Sequence, residues 1–410
     1  MATEILTAPG VAPAVDPTTV RDIPIIRNSP DRSALSANLG LLAEMAGSWR
    51  GQGFNLIARP DFQNQQNLYL QLSQTLETLQ VDPIGSGIPN RGFGQDDIQL
   101  FGLTYLQKIS DLFTGGALHI EPGIWVTQPS TTYPPETSAA NTQIIARMGS
   151  IPHGNALLAQ GTASTFTGAP VLKTASAQYN GSAFPSFNST PFGAATPVII
   201  NAQGTSEKAN AAANGVPPFN EYDLTVAASA TNPRTPFNTA PPEPALPAAI
   251  NGVPMQTAIN DPITLLQAVI NQQVSQGFTF EGTALNISTQ KTLTFFKNPN
   301  SKPTDPTVAV TPVDAAGGIE NIPFLEGGEP TGSQGPNADT ATVYATFWLE
   351  KVSHPSFPTF LQLQYAQMVV LNFPIFTALH PPVTTPPTAP ALVVLGWPHI
   401  SVATLTKAFN

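Results

Sequence analysis

Two segments near the C-terminal end of the chain alternate apolar with polar side chains, and this period of two constrains the fold most. A strand sends successive side chains to opposite faces, so the pattern predicts two strands that each bury one face. The apolar positions are Val343, Ala345, Phe347 and Leu349 in 340–352, and Leu361, Leu363, Tyr365, Val369 and Leu371 in 360–373. Runs bounded by Gly, Pro or Asn predict further strands at 49–57, 68–81, 98–109, 116–126, 143–149, 157–166, 278–287, 291–297 and 399–407.

The segment 261–276 has a helical period instead. Asp261 is predicted to cap this helix, Pro262 to stand in its first turn and Gly277 to end it. Its predicted apolar stripe is Ile263, Leu266, Ile270 and Val274. A short amphipathic helix is also predicted from Ser33 to about Gly47. About ten strands with one internal helix predict a mainly β protein, an antiparallel up-and-down barrel.

Proline and glycine are abundant, with 43 and 31 copies, and only 10% of the residues are charged. This composition favours strands joined by long loops over long helices. We expect an N-terminal tail at 1–32 and one barrel domain at 33–410, with Pro-rich insertions at about 167–260, 298–338 and 374–393. Inserts of this length in a compact domain indicate a functional or an assembly surface, which includes a homo-oligomer interface.

The charge and the residue types exclude several classes of protein. The net charge of −10 without a basic cluster makes nucleic acid a poor partner, and the absence of cysteine excludes disulfides and thiolate metal sites. No apolar run reaches the length of about 18 residues that a membrane helix needs. The N-terminus lacks the pattern of a signal peptide, so we expect a soluble cytoplasmic protein.

Motifs for phosphate loops, dinucleotide binding, nucleophile elbows and zinc proteases are absent, which leaves five histidines as candidates for chemistry. His354 and His380 each precede a proline in loop-like sequence and are interpreted as solvated or structural. His119, His153 and His399 lie on or beside predicted strands.

Three segments, in order, resemble the nitrobindin family of small haem-binding β-barrels of the fatty-acid-binding-protein-like (calycin) type. LAEMAGSWRGQGF at 42–54 is similar to the family's G-T-W-x-G-x-G opening, with Ser48 in place of the usual threonine. ALHIEPGIWV at 117–126 is similar to its L-H-x-E-x-G-aromatic strand, and IIARMGSIPHGNALLAQGTA at 144–163 to the next hairpin. The string IPHGNALLAQG is also similar to longer bacterial haem-binding proteins. These motifs cover about a quarter of a chain that is more than twice as long as typical family members.

The resemblance implies a calycin-like barrel that binds haem b, with His399 near the start of the last strand as the axial iron ligand. His153 is the alternative ligand or a distal group. His119 and Glu121 share a strand face at i and i+2 and could pair structurally. The other candidates for the haem pocket are Trp49, Arg50 and Trp125, among which Arg50 could meet a propionate.

Three functions therefore stay open. The first is a haem protein, with peroxidase-like chemistry or with nitric oxide and peroxynitrite chemistry as the resemblance implies. The second is a metal-free carrier of a fatty acid, pigment or other small apolar ligand, which an Arg147 and Tyr365 carboxylate clamp inside the barrel would favour. The third is a structural or assembly protein, because a surface with few charges associates readily.

Overall fold

Ten antiparallel strands form one closed sheet in the computed structural model of this protein. The strands are β1 (Gly47–Asp61), β2 (Gln66–Pro83), β3 (Ile98–Asp111), β4 (Ala117–Gln128), β5 (Thr142–Ile151), β6 (Asn155–Thr167), β7 (Thr279–Ser288), β8 (Thr342–His354), β9 (Phe357–Phe376) and β10 (Leu392–Ala408). The structure describes residues 32–61, 66–90, 97–128, 131–132, 135–136, 142–151, 155–172, 192–193, 220–235, 246–289, 342–376 and 392–408. The predicted strand 291–297, most of the predicted tail and nearly all of the predicted inserts 298–338 and 374–393 lie outside these residues.

Each strand pairs with its neighbours in chain order, and β10 returns to pair with β1. That closing pair runs antiparallel from Ser48 opposite Ala408 to Ile57 opposite His399. The result is an up-and-down barrel, so the predicted fold class is confirmed.

The odd-numbered side chains of the strands point into the barrel. The predicted faces of 340–352 and 360–373 both lie in this inner core, beside Trp125, Leu79 and Leu285. One end of the barrel is closed by α1 (Arg32–Leu39) and a 3₁₀ turn (Gly40–Met45), whose Leu39, Leu42 and Met45 are buried in the same core. The interior is therefore apolar near this closed end.

A second core covers the outer face of the barrel. The helices α2 (Met255–Asn260) and α3 (Ile263–Ser275) pack Ile259, Leu266 and Ile270 against outward side chains such as Phe54 and Met368. The strands beneath these helices, such as β1 and β9, are consequently apolar on both faces.

The predicted details of α3 need two corrections. Pro262, not Asp261, precedes the first helical residue, and no side chain caps that end; the Asp261 carbonyl accepts from Thr264 instead. Leu265 is buried although it was not part of the predicted stripe, and the predicted Val274 is 46% exposed in the last turn of the helix. Gly277 does end the helix, with a φ of 91°.

Part of the long insert at 167–260 completes the barrel wall. The N-terminal half of β2 extends past the end of β3. There the backbone N–H of Leu70 donates to the Pro233 carbonyl at 3.2 Å, and the Leu70 carbonyl accepts from the backbone N–H of Thr235 at 3.0 Å. Arg234 holds this segment by donating to the carbonyls of Glu221, Asp223 and Val226. An otherwise unpaired strand edge is thus covered.

Gly161 marks a place where two strands leave no room for a side chain. A Cβ at this position in β6 would lie 1.8 Å from the carbonyl oxygen of Asn286 on β7. We expect Gly161→Ala to lower the free energy of unfolding by roughly 2–3 kcal/mol, since overpacking forces the backbones apart. Urea denaturation measures this. The control is Gly116→Ala, where the nearest atom is the Thr114 hydroxyl at 3.3 Å, and equal losses in both variants would contradict the close approach.

A ligand-sized cavity at the open end of the barrel

The helix α1 and the 3₁₀ turn that follows it form a plug at one end of the barrel. A cavity of about 300 Å³ lies inside the barrel at the opposite end. Its apolar walls are Ile57, Ile109, Ile151, Val369 and Leu371. Its polar lining comprises Asn55, Gln71, Gln107, Tyr365, Gln367 and Ser401, with His119, His399 and Arg59. The cavity therefore offers an apolar body and hydrogen-bonding groups in one enclosed space, as small-molecule sites do.

A larger space of about 640 Å³ lies at the plugged end. Two of the charged side chains that line it, Glu281 and Lys351, are more than half exposed and pair with each other at 2.6 Å. It is a groove open to solvent, so the enclosed cavity at the other end is the better candidate site.

Two of the histidines predicted from the sequence line this cavity. They stand on β10 and β4, and the strands β1, β2 and β3 lie between them in the sheet. His399 on β10 is half-buried and its Nε2 donates to the carbonyl of Ala58 at 3.1 Å. His119 on β4 places its Nε2 3.3 Å from Glu121 Oε2, which confirms the predicted i, i+2 pair. The barrel brings the two imidazoles together because both stand at odd positions near the open end.

Glu77 and its partners lie below the cavity. The buried carboxyl accepts from Tyr365 at 2.5 Å, from Thr75 at 2.8 Å and from Gln107 at 3.4 Å. Burial raises the pKa of Glu77, and these hydrogen bonds offset that only in part. Burial likewise raises the pKa of Tyr365, so its hydroxyl keeps its proton.

Glu121 and Arg147 form a buried ion pair beside this group, with 2.6 Å between Arg147 Nη2 and Glu121 Oε1. Arg147 also donates to Tyr105 at 3.0 Å and to Gln367 at 2.6 Å. Burial alone would raise the pKa of Glu121, but the Arg147 guanidinium, with hydrogen bonds from His119 and Tyr105, lowers it to about 2. The pair therefore remains ionised across the physiological range.

The other sequence candidates occupy different places. Trp49 is buried near the plug and donates to the Met45 carbonyl, away from the cavity. Trp125 lies behind the cavity floor, with its ring 5.6 Å from the Arg147 guanidinium. Arg50 is exposed on the outer face, because strand alternation turns it away from its inward neighbour Trp49. His153 lies outside the described residues, between the ends of β5 and β6.

Sequence reasoning missed the polar residues of the site: Asn55, Arg59, Gln107 and Gln367. Each stands at an odd position of a predicted strand or of its extension. These positions share a strand face with buried apolar neighbours, and this shared face is the feature of the sequence that could have placed them inside the barrel. The two residues of the predicted carboxylate clamp, Arg147 and Tyr365, both point into the barrel. Their polar atoms bond Glu121 and Glu77, however, and Arg147 does not line the cavity.

Comparison with family models, with curated proteins and with solved structures gave no match for this chain. Within the described part of the chain, no cluster of three or more His, Cys, Asp or Glu side chains has the arrangement of a metal site. None of the helices in that part is long and apolar enough to span a membrane. The geometry of the cavity thus carries the functional argument by itself.

The buried ion pair predicts an unusual pH dependence for the stability of the Arg147→Met variant. In the native protein the lowered pKa of Glu121 contributes stability above about pH 4.5, and this contribution is lost as the pH falls towards 2. The variant leaves a buried carboxylate unpaired, which costs roughly 3–5 kcal/mol at pH 7. Acid relieves that cost by protonating Glu121, so the deficit against wild type should shrink between pH 7 and pH 3.5.

Urea denaturation at both pH values measures this deficit. The double variant Glu121→Gln/Arg147→Met removes both charges and should be more stable at pH 7 than Arg147→Met alone. A deficit that is equal at both pH values would contradict the ionised pair.

Proposed function

We propose that the barrel is a binding protein for a small ligand with an apolar body and a polar end. The observation that carries this is the enclosed cavity at the open end, apolar along its walls and polar at its floor. Its volume of about 300 Å³ is at the lower end of the roughly 300–1,000 Å³ typical of ligand sites. The ligand is therefore small, comparable to one or two fused rings.

The position of the cavity supports the same function. The plug and the inner core fill the barrel at the other end, and Ile57, Arg59 and Leu371 line the part of the cavity farthest from the plug. The buried network below the cavity holds Tyr365, Gln367 and Gln107 in place through bonds to Glu77 and Arg147. A floor positioned in this way is preorganised for a ligand.

The test uses naphthalen-2-ylmethanol, a fluorescent fused-ring alcohol of suitable size, titrated into the protein. We expect saturable binding at one site. Ser401 lines the cavity with a small side chain, so Ser401→Phe should fill the space and weaken binding at least tenfold. Thr406→Phe on the outer face of the same strand is the matched control. Equal binding by both variants would place the ligand elsewhere and refute the proposal.

Haem is a second candidate ligand, because His119 and His399 line one cavity. The histidine side chains fit the need for an axial imidazole, and the exposed Arg59 at the rim fits a propionate. Iron binding through Nε2 of His399 requires the imidazole to leave the Ala58 carbonyl. The cavity of about 300 Å³ is also smaller than the macrocycle. When bound, haem would supply the redox chemistry of its iron.

A hemin titration followed by absorption separates this candidate from the metal-free one. A haem protein should give a saturating Soret band at one equivalent, weakened at least tenfold by His399→Ala. His119→Ala and His153→Ala test the alternative ligands, and His354→Ala at the other end of the barrel is the control. If all five proteins show the same non-saturating spectrum, the haem proposal is wrong and the metal-free ligand remains.

A further inference from the structure

The charged groups beneath the cavity are already neutralised within the protein. Arg147 is 1% exposed and uses each of its three nitrogens in a hydrogen bond, to Glu121, Gln367 and Tyr105. The rings of Tyr105, Trp125 and Phe347 lie 5.1–5.6 Å from its guanidinium carbon. A ligand carboxylate would have to displace Glu121 to reach this cation.

The other carboxyl of the floor already uses both of its oxygens in hydrogen bonds within the protein. Glu77 is fully buried, and its two oxygens accept from Tyr365, Thr75 and Gln107. Since Glu121 is paired with Arg147 as well, a cationic ligand group finds no unpaired carboxylate among these floor residues. Burying a charge without a partner is costly for a ligand of either sign.

Uncharged hydrogen-bonding groups do line the cavity. Asn55 is 2% exposed, and its Oδ1 meets no donor among the described residues. The Gln367 amide, whose carbonyl accepts from Arg147, also lines the cavity. An unsatisfied buried amide oxygen such as Asn55 Oδ1 favours a ligand group that donates a hydrogen bond, such as a hydroxyl or an amide N–H.

We infer that the cavity selects a ligand whose polar end is uncharged, such as an alcohol or an amide, over carboxylates and amines. This inference rests on the proposed function and names its ligand class. The exposed Arg59 at the rim is the one cation among the lining residues that a carboxylate reaches without breaking the buried pair. If the carboxylate of a ligand is held at Arg59, the apolar body of that ligand faces the polar side chains of Gln107 and Tyr365. We expect this mismatch to lower the affinity of the ligand.

Three ligands with the same ring system test the selection at pH 7: naphthalen-2-ylmethanol, 2-naphthoate and naphthalen-2-ylmethylammonium. Titration of the wild-type protein should give the alcohol a dissociation constant at least tenfold lower than either charged ligand. Tighter or equal binding of a charged ligand overturns the inference and leaves the proposed function intact. No binding of any of the three overturns the proposed function, and the inference with it.

Two variants locate the selection at the cavity. Asn55→Val removes one hydrogen-bonding group and should weaken binding of the alcohol roughly three- to tenfold, whereas Gln52→Val, exposed on the outer face of the same strand, is the control. Arg59→Gln should reduce whatever affinity 2-naphthoate retains. If Asn55→Val and Gln52→Val bind the alcohol equally, Asn55 does not contact the ligand and the inference loses its polar contact.

Discussion

The pairing of β1 with β10 is the constraint on which the rest of the structure depends. It removes the two free edges that a ten-stranded sheet would otherwise present to solvent, and it separates an inside from an outside. Gly51 and Gly53 make the seam possible, because a Cβ at either position would lie 2.1 Å or 2.4 Å from a carbonyl oxygen of β10. The register of this seam also sets Ile57 opposite His399, so closure and the cavity wall have one origin.

Local patterns were sufficient to predict the strands, and distant pairings were not. A period of two along one strand reports which residues share a face, so the inner faces of β8 and β9 and the His119–Glu121 pair could be predicted. The hydrogen bond from Tyr365 to Glu77 joins residues 288 positions apart, and nothing along either strand signals the other. The floor of the site therefore depends on barrel closure and register, which a single sequence does not disclose.

The inward face of β10 could not be assigned from alternation, for a physical reason. Ile400 and Val402 are as buried as the inward Ala403 and Leu405, because α3 and its neighbours cover the outside of the barrel there. A strand buried on both faces loses the contrast on which the period of two depends. His399 could thus be named as a candidate but not placed inside the barrel until the outer core was known.

The buried network is difficult to explain by stability alone. Replacing a whole buried ion pair with apolar side chains of similar volume is often neutral or stabilising, although removing one partner alone is costly, so stability does not by itself account for the presence of Glu121 and Arg147. The inner core nearer the plug shows that this barrel can be filled with Leu, Phe and Trp. The polar groups instead gather directly beneath the cavity, where they hold Gln367 and Tyr365 in defined positions. Their arrangement fits the ligand-binding role proposed for the cavity better than a role in stability alone.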